Sequence, residues 1–213
     1  MKRSVFEFSI SAPSVCCTYD MGYTQFPSRQ EIRATLGLEG AEFTQALIKQ
    51  PAQAADGYLE MALDEKLSYE LRYKAVSAFS QLKGYAAITD LKRLVSNENW
   101  FIRISALNAI ERLDEAAFRE IALRLLQDRA LVVRSAAVDK LKEKMSPEIR
   151  QSLWQAMEDK INFHKGYSLW IRAQILEALA QNPLKEESAI FQRFLSDKDE
   201  AVRQAARRAL LNL

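Results

Sequence analysis

Five arginines, Arg72, Arg103, Arg134, Arg172 and Arg203, stand in the same short pattern at steps of 31, 31, 38 and 31 residues. Each follows an apolar residue: Leu71, Ile102, Val133, Ile171 or Val202. Alanine stands three residues after four of them (Ala75, Ala106, Ala137, Ala206), with Ile175 at the remaining one. An apolar residue stands seven after every one: Phe79, Ile110, Leu141, Leu179 and Leu210. Offsets of three and seven fall on one stripe of an α-helix. A helical stripe that recurs every thirty or so residues marks an array of small units, none of which can enclose a core alone.

The spacing predicts arginine-bearing helices at about 68–83, 98–113, 129–145, 167–181 and 198–212. Each is preceded by a partner helix, at about 52–64, 85–96, 115–127, 147–159 and 184–196. Punctuation agrees: Pro51 and Ser146-Pro147 suit helix starts, and Asn182-Pro183 separates one helix from the next. Ahead of these pairs, Ser28 and Glu31 form a capping box for a helix at 29–36 that Gly37 stops. A second helix at 41–49 lacks the arginine and reads as a degenerate end repeat. The expected fold is all-α, an α-α superhelix of about five helical pairs plus this N-terminal pair, over residues 28–213.

Residues 1–27 differ. Phe6, Phe8 and Ile10 alternate with Glu7, Ser9 and Ser11, the period of a strand or extended arm. A lone strand is not stable, and no second alternating segment answers it. The preferred reading is an extended N-terminal arm packed along the open apolar edge of the first helices. The other is an arm that docks on another molecule.

Charge and rare residue types narrow the function. Thirty basic residues against twenty-eight acidic ones leave a net charge of +2, which supplies no general field for a nucleic-acid backbone. The two cysteines, Cys16 and Cys17, are neighbours, unlike a secreted disulfide framework, and read as reduced thiols. His164 is the one histidine, so a histidine-rich metal site is excluded and no metal or cofactor is expected. The six glycines form no phosphate-cradling loop, and no nucleophile elbow is present. No apolar run approaches the ~20 residues needed to span a bilayer. A cytoplasmic protein without catalytic activity is expected.

The stretch from Asp197 to Leu210, DKDEAVRQAARRAL, resembles the HEAT repeat, and more narrowly the short HEAT-like repeats named after phycobilisome lyases. The resemblance covers roughly residues 52–213. It implies an armadillo-like solenoid whose second helices line the concave face, and whose arginines pair with an acidic residue of the interhelical turn to form a ladder between layers. Six residues before the arginine the chain has Asp128 and Asp197, but Asn97, Lys66 and Gly166 elsewhere. The ladder should therefore be partial, with the first and fourth repeats less regular. Repeats of this kind serve in scaffolds, immunity proteins, lyases and DNA-repair enzymes, so function has to be argued from surfaces.

Two surfaces depart from the pattern. The position two before each arginine holds Glu70, Phe101, Val132, Trp170 and Ala201, so three central apolar residues are flanked by a charged and a small one. Tyr73 and Ile104 extend the band. Exposed, it would bind another protein; alternatively these side chains pack between adjacent second helices. The long step of 38 places seven extra residues at 161–167, INFHKGY, where Phe163, His164 and Tyr167 offer a contact loop. The favoured function is a non-catalytic adaptor that binds a partner protein on the concave helix face. One alternative is a HEAT-like DNA glycosylase or lyase using Trp100, Trp154 and Trp170 with Arg103, Arg134 and Arg172. The other is an immunity or inhibitor protein that neutralises a toxin. Salt-sensitive retention on nucleic acid would favour the glycosylase; a toxin gene beside this one would favour the inhibitor.

Overall fold

Burial follows the helical stripe: Ile102, Ala106, Ala109 and Ile110 are wholly enclosed, as are Val133, Ala137 and Leu141 one repeat later. The computed structural model describes residues 26–213, so all of the predicted arm except its last two residues lies outside the described residues. Six helical pairs follow in sequence. They are α1 (Arg29–Leu36) with α2 (Gly40–Ile48), α3 (Ala55–Leu63) with α4 (Tyr69–Lys83), and α5 (Ile88–Leu94) with α6 (Trp100–Leu113). Then come α7 (Glu115–Leu125) with α8 (Leu131–Lys142), α9 (Pro147–Glu158) with α10 (Ile171–Ala180), and α11 (Ser188–Phe194) with α12 (Glu200–Leu211).

The pairs stack into an all-α superhelix. Successive second helices, α4, α6, α8, α10 and α12, pack directly on one another, whereas successive first helices approach less closely. The alanines at the repeat's third position, all fully buried, permit that close approach of the second helices. The second helices therefore form the more closely packed side of the array, the side that the resemblance expects to be concave.

Local capping matches the sequence where the signals are strong. Ser28 and Glu31 make the expected reciprocal box, and Ser146 accepts a hydrogen bond from the Ile149 amide ahead of Pro147. Gly37 ends α1 in a right-handed conformation, so its small size is not used for a left-handed cap. Gly84, at φ 57°, does use that freedom, turning the chain between α4 and the next pair. Residues 52–54, 84–87 and 185–187 begin their helical segments as 3-10 turns.

One correction concerns the turns. Asp64, Asn97, Asp128, Asp159 and Asp197 each accept the amide N–H two residues on, at 2.7–3.0 Å. The turn residue of the first and fourth arginine repeats is thus Asp64 and Asp159, not Lys66 and Gly166. The insertion displaced the fourth arginine from its turn, so a fixed offset missed it. The ladder runs forward: Arg103 grips Asp128 through Nε (2.8 Å) and Nη2 (2.6 Å), and Arg172 reaches Asp197 at 3.0 Å. Arg72 donates to the Ala62 carbonyl at 2.9 Å and Arg134 to Asn162, so the missing carboxylate rungs belong to the first and third repeats.

A second correction concerns the insertion. It is a two-stranded antiparallel hairpin, β1 (Phe163–His164) with β2 (Tyr167–Ser168), pairing Phe163 with Ser168 and His164 with Tyr167. Lys165 (φ 50°) and Gly166 (φ 81°) make the two-residue turn of positive φ that matches strand twist. Helix α10 consequently starts at Ile171 rather than near 167.

Candidate functional site

The N-terminal ends of α4 and α6 carry a cluster of four aromatic rings. Ser68 caps α4 and Asn99 caps α6, its side chain accepting the Phe101 amide at 3.0 Å. These caps fix the first turns, which project Tyr69, Tyr73, Trp100 and Phe101. Tyr69 lies with its ring centroid 5.1 Å from Phe101 and 6.3 Å from Trp100, and Tyr73 lies 6.2 Å from Phe101. Trp100 meets Phe101 edge-on at 5.9 Å. Phe101 is the half-buried centre, resting on the core, and the other three remain exposed around it.

The same repeat position in later layers is also apolar and open. Val132 is 43% exposed on α8 and Trp170 is 52% exposed at the start of α10. Tyr73 is 36% exposed, while Ile104, like Phe101, is half-buried against the core. Exposed Glu70 and Ala201 bound the row. The predicted band is therefore divided: Tyr73, Val132 and Trp170 face solvent, and Phe101 and Ile104 anchor the row to the layers beneath. Tyr69 was missed in the sequence because it precedes the repeat position compared there; its i,i+4 spacing from Tyr73 is the signal that marks it.

The hairpin residues separate as well. Phe163 is half-buried beneath the Arg172 guanidinium, 4.4 Å from its ring, so it supports the ladder. His164 and Tyr167 are exposed beside the turn, Tyr167 at 73%. Among the repeat arginines, Arg72, Arg103, Arg134 and Arg172 are buried. Arg134 donates to Asn162 (2.9 Å) and to the Asp128 and Ile161 carbonyls (2.7 and 3.0 Å). Burial pulls its pKa below the ordinary value, against the nearby Asp128 and Asp159 carboxylates. These cations are committed inside the protein.

On the opposite, first-helix side, a groove of about 1100 Å³ runs between α9 and the segment leading into α11. Arg150 and Glu187 form a buried ion pair in its floor at 2.6 Å. Arg150 also donates to the Asn182 carbonyl, and the Trp154 indole Nε1–H donates to Glu187 at 2.7 Å. Trp154 lies parallel to Phe194 at 6.1 Å and edge-on to Phe191 at 5.2 Å. Among the described residues, no group of three or more His, Cys, Asp or Glu is placed to hold a metal ion, and no helix is long and apolar enough to cross a membrane.

A family model for HEAT repeats matches residues 58–142, from within α3 to the end of α8. No curated protein matches the chain. Among solved structures, an engineered protein aligns at 15% identity and TM-score 0.46, over 86% of this chain and 89% of that one. A designed armadillo repeat protein aligns at 18% identity and TM-score 0.42, over 87% of this chain and all of that one. The matched span holds three of the five arginine motifs, and Arg172 and Arg203 repeat their pattern in the two pairs that follow. Over residues 58–142 the chain is thus similar to HEAT repeats.

Proposed function

We propose that this protein is a non-catalytic scaffold that holds a partner protein against its concave, second-helix face. The observation that carries this reading is the set of open aromatic and aliphatic side chains within three residues of successive repeat arginines, Tyr69 and Tyr73, then Trp100, then Val132, then Trp170. A polar residue would be solvated there without cost, whereas contiguous exposed apolar surface is characteristic of contact sites. Tyr and Trp are also the side chains that most often dominate binding energy. His164 and Tyr167 on the hairpin supply a second contact next to Trp170 in the chain. The commitment of four repeat arginines to internal partners argues against the DNA-glycosylase alternative, which needs free cations along one face. The adjacent Cys16 and Cys17, read as reduced thiols, suit a cytoplasmic setting.

The test is affinity capture from native lysate with the full chain, with Trp170→Ala and Val132→Glu, each checked for an unchanged circular dichroism melt. One protein recovered in near-equal amount by the parent chain and lost with both variants supports the scaffold. Recovery that does not change with either variant, or retention of nucleic acid that falls steeply with salt, rejects it.

A further inference from the structure

The groove between α9 and α11 has a definite shape and polarity. Pro147, Arg150, Gln151, Trp154, Gln155 and Glu158 line it at offsets of three and four, one continuous stripe of α9. Eleven residues separate the first from the last, so the trough is ~16 Å long, enough for about three turns of a docked helix. Leu184 and Ile190 form the facing apolar wall. Its floor is fixed, because Glu187 is held by Arg150, by the Trp154 indole and by the Leu184 amide.

Its charge is one-sided. Arg150 and Glu187 neutralise each other, which leaves Glu158 and Asp159 as the remaining charges of the lining, both at the C-terminal end of α9. The negative end of the helix dipole falls there too. Glu158 has only a loose ion pair with exposed Arg193, at 3.9 Å. Asp159 accepts the Ile161 amide and the Gln127 side chain, and these hydrogen bonds hold its carboxyl below the usual range, so it stays charged.

We infer that this groove is a second docking site, separate from the concave face, for a partner's amphipathic helix with an apolar stripe and lysine or arginine at one end. The apolar stripe seats on Trp154, Leu184 and Ile190, and the basic residue meets Glu158 and Asp159. Anchors at i, i+3 or i+4, and i+7 in such a trough are the usual mode of helix-in-groove recognition.

The three tryptophan indole N–H signals in a proton–nitrogen NMR spectrum separate this site from the concave one. Trp154 reports the groove, and Trp100 and Trp170 report the opposite face. The probe is a stapled 12-residue helical peptide with leucines on one stripe and two lysines at one end, titrated into the full chain. A control peptide carries glutamates in place of the lysines. The Trp154 signal should shift saturably while Trp100 and Trp170 stay in place, and the glutamate peptide should bind at least tenfold more weakly. Gln155→Lys, an exposed change on the groove wall, should weaken the lysine peptide by a similar factor with an unchanged melt. Equal binding of both peptides, or shifts confined to Trp100 and Trp170, overturns the inference. A Trp154 signal that moves with protein concentration alone also overturns it, in favour of a second copy as occupant. Peptide binding seen only after removal of residues 1–25 overturns it in favour of the chain's own N-terminal segment.

Discussion

Arg134 donates from Nε to the side-chain oxygen of Asn162 at 2.9 Å, the place where Arg103 and Arg172 find a carboxylate. Asn162 is fully buried and donates in turn to the Ala156 carbonyl at 2.8 Å, so it joins the third layer to the end of α9. An aspartate could not make that second bond, because it has no donor. Asn162→Ala should leave Arg134 short of a partner and the Ala156 carbonyl with the Asp159 amide alone, lowering unfolding free energy by about 2 kcal/mol. Urea unfolding followed by circular dichroism measures it; a loss below about 0.5 kcal/mol would show that water replaces the amide.

The Arg103–Asp128 pair is bidentate and buried on both sides. Removing one partner strands a buried charge, so Arg103→Ala or Asp128→Ala should each cost about 3–5 kcal/mol. The double replacement should cost clearly less than the two losses combined, since neither charge is then left alone. Additive losses in the double-mutant cycle would mean that the pair does not couple the layers.

Asp64, Asp114 and Asp159 all have pKa values held down, chiefly by backbone amides that donate to their side chains. A depressed folded-state value means that this stability is present above the unfolded pKa, near 4. It is lost as pH falls through the lower folded value. The melting temperature should therefore be flat from pH 7 to about 5 and drop on further acidification. In Asp159→Asn that drop should be shallower, although the variant melts lower at neutral pH. Parallel melting curves from pH 7 to 3 for the two proteins would rule out this origin.

Gly166 holds φ 81° at the hairpin turn, and its preceding Lys165 is strained at φ 50°. Gly166→Ala should destabilise the protein by about 1 kcal/mol. Lys165→Asn, which favours this turn, should stabilise it by a few tenths. Amide hydrogen exchange at Phe163 and Ser168 should follow the same order; exchange unaffected by either change would place the hairpin's stability elsewhere.

The two halves of the apolar row should respond differently to truncation. Trp170→Ala removes a side chain largely in solvent and should shift stability by less than about 0.5 kcal/mol. Phe101→Ala removes the centre of the aromatic cluster and should cost about 2–3 kcal/mol. Thermal melts of both variants check this, and equal losses would mean that Trp170 is part of the core.

The arginine pattern made the layers legible because it combines a helical stripe with a fixed period, and both survive substitution at single positions. Turn chemistry was harder to read. Asp64 and Asp159 act through a bond to the amide two residues on, which depends on local backbone and not on distance from an arginine. The packing of Tyr69 on Phe101 and the Arg150–Glu187–Trp154 floor emerged only in three dimensions, since the partners lie 32 and 37 residues apart in the chain. The hairpin was hidden for the opposite reason: two-residue strands are too short to show a period.

The forward direction of the ladder also concerns the order of synthesis. Arg103 and Arg172 each close on an aspartate 25 residues further along the chain, so neither guanidinium is neutralised when its own helix first forms. On a ribosome, where N-terminal segments emerge first, these two layers wait with an unpaired cation until the following turn leaves the exit tunnel. Assembly from the N-terminus would then advance as a ratchet at Arg103, Arg134 and Arg172, where the turn that follows locks the layer made before it.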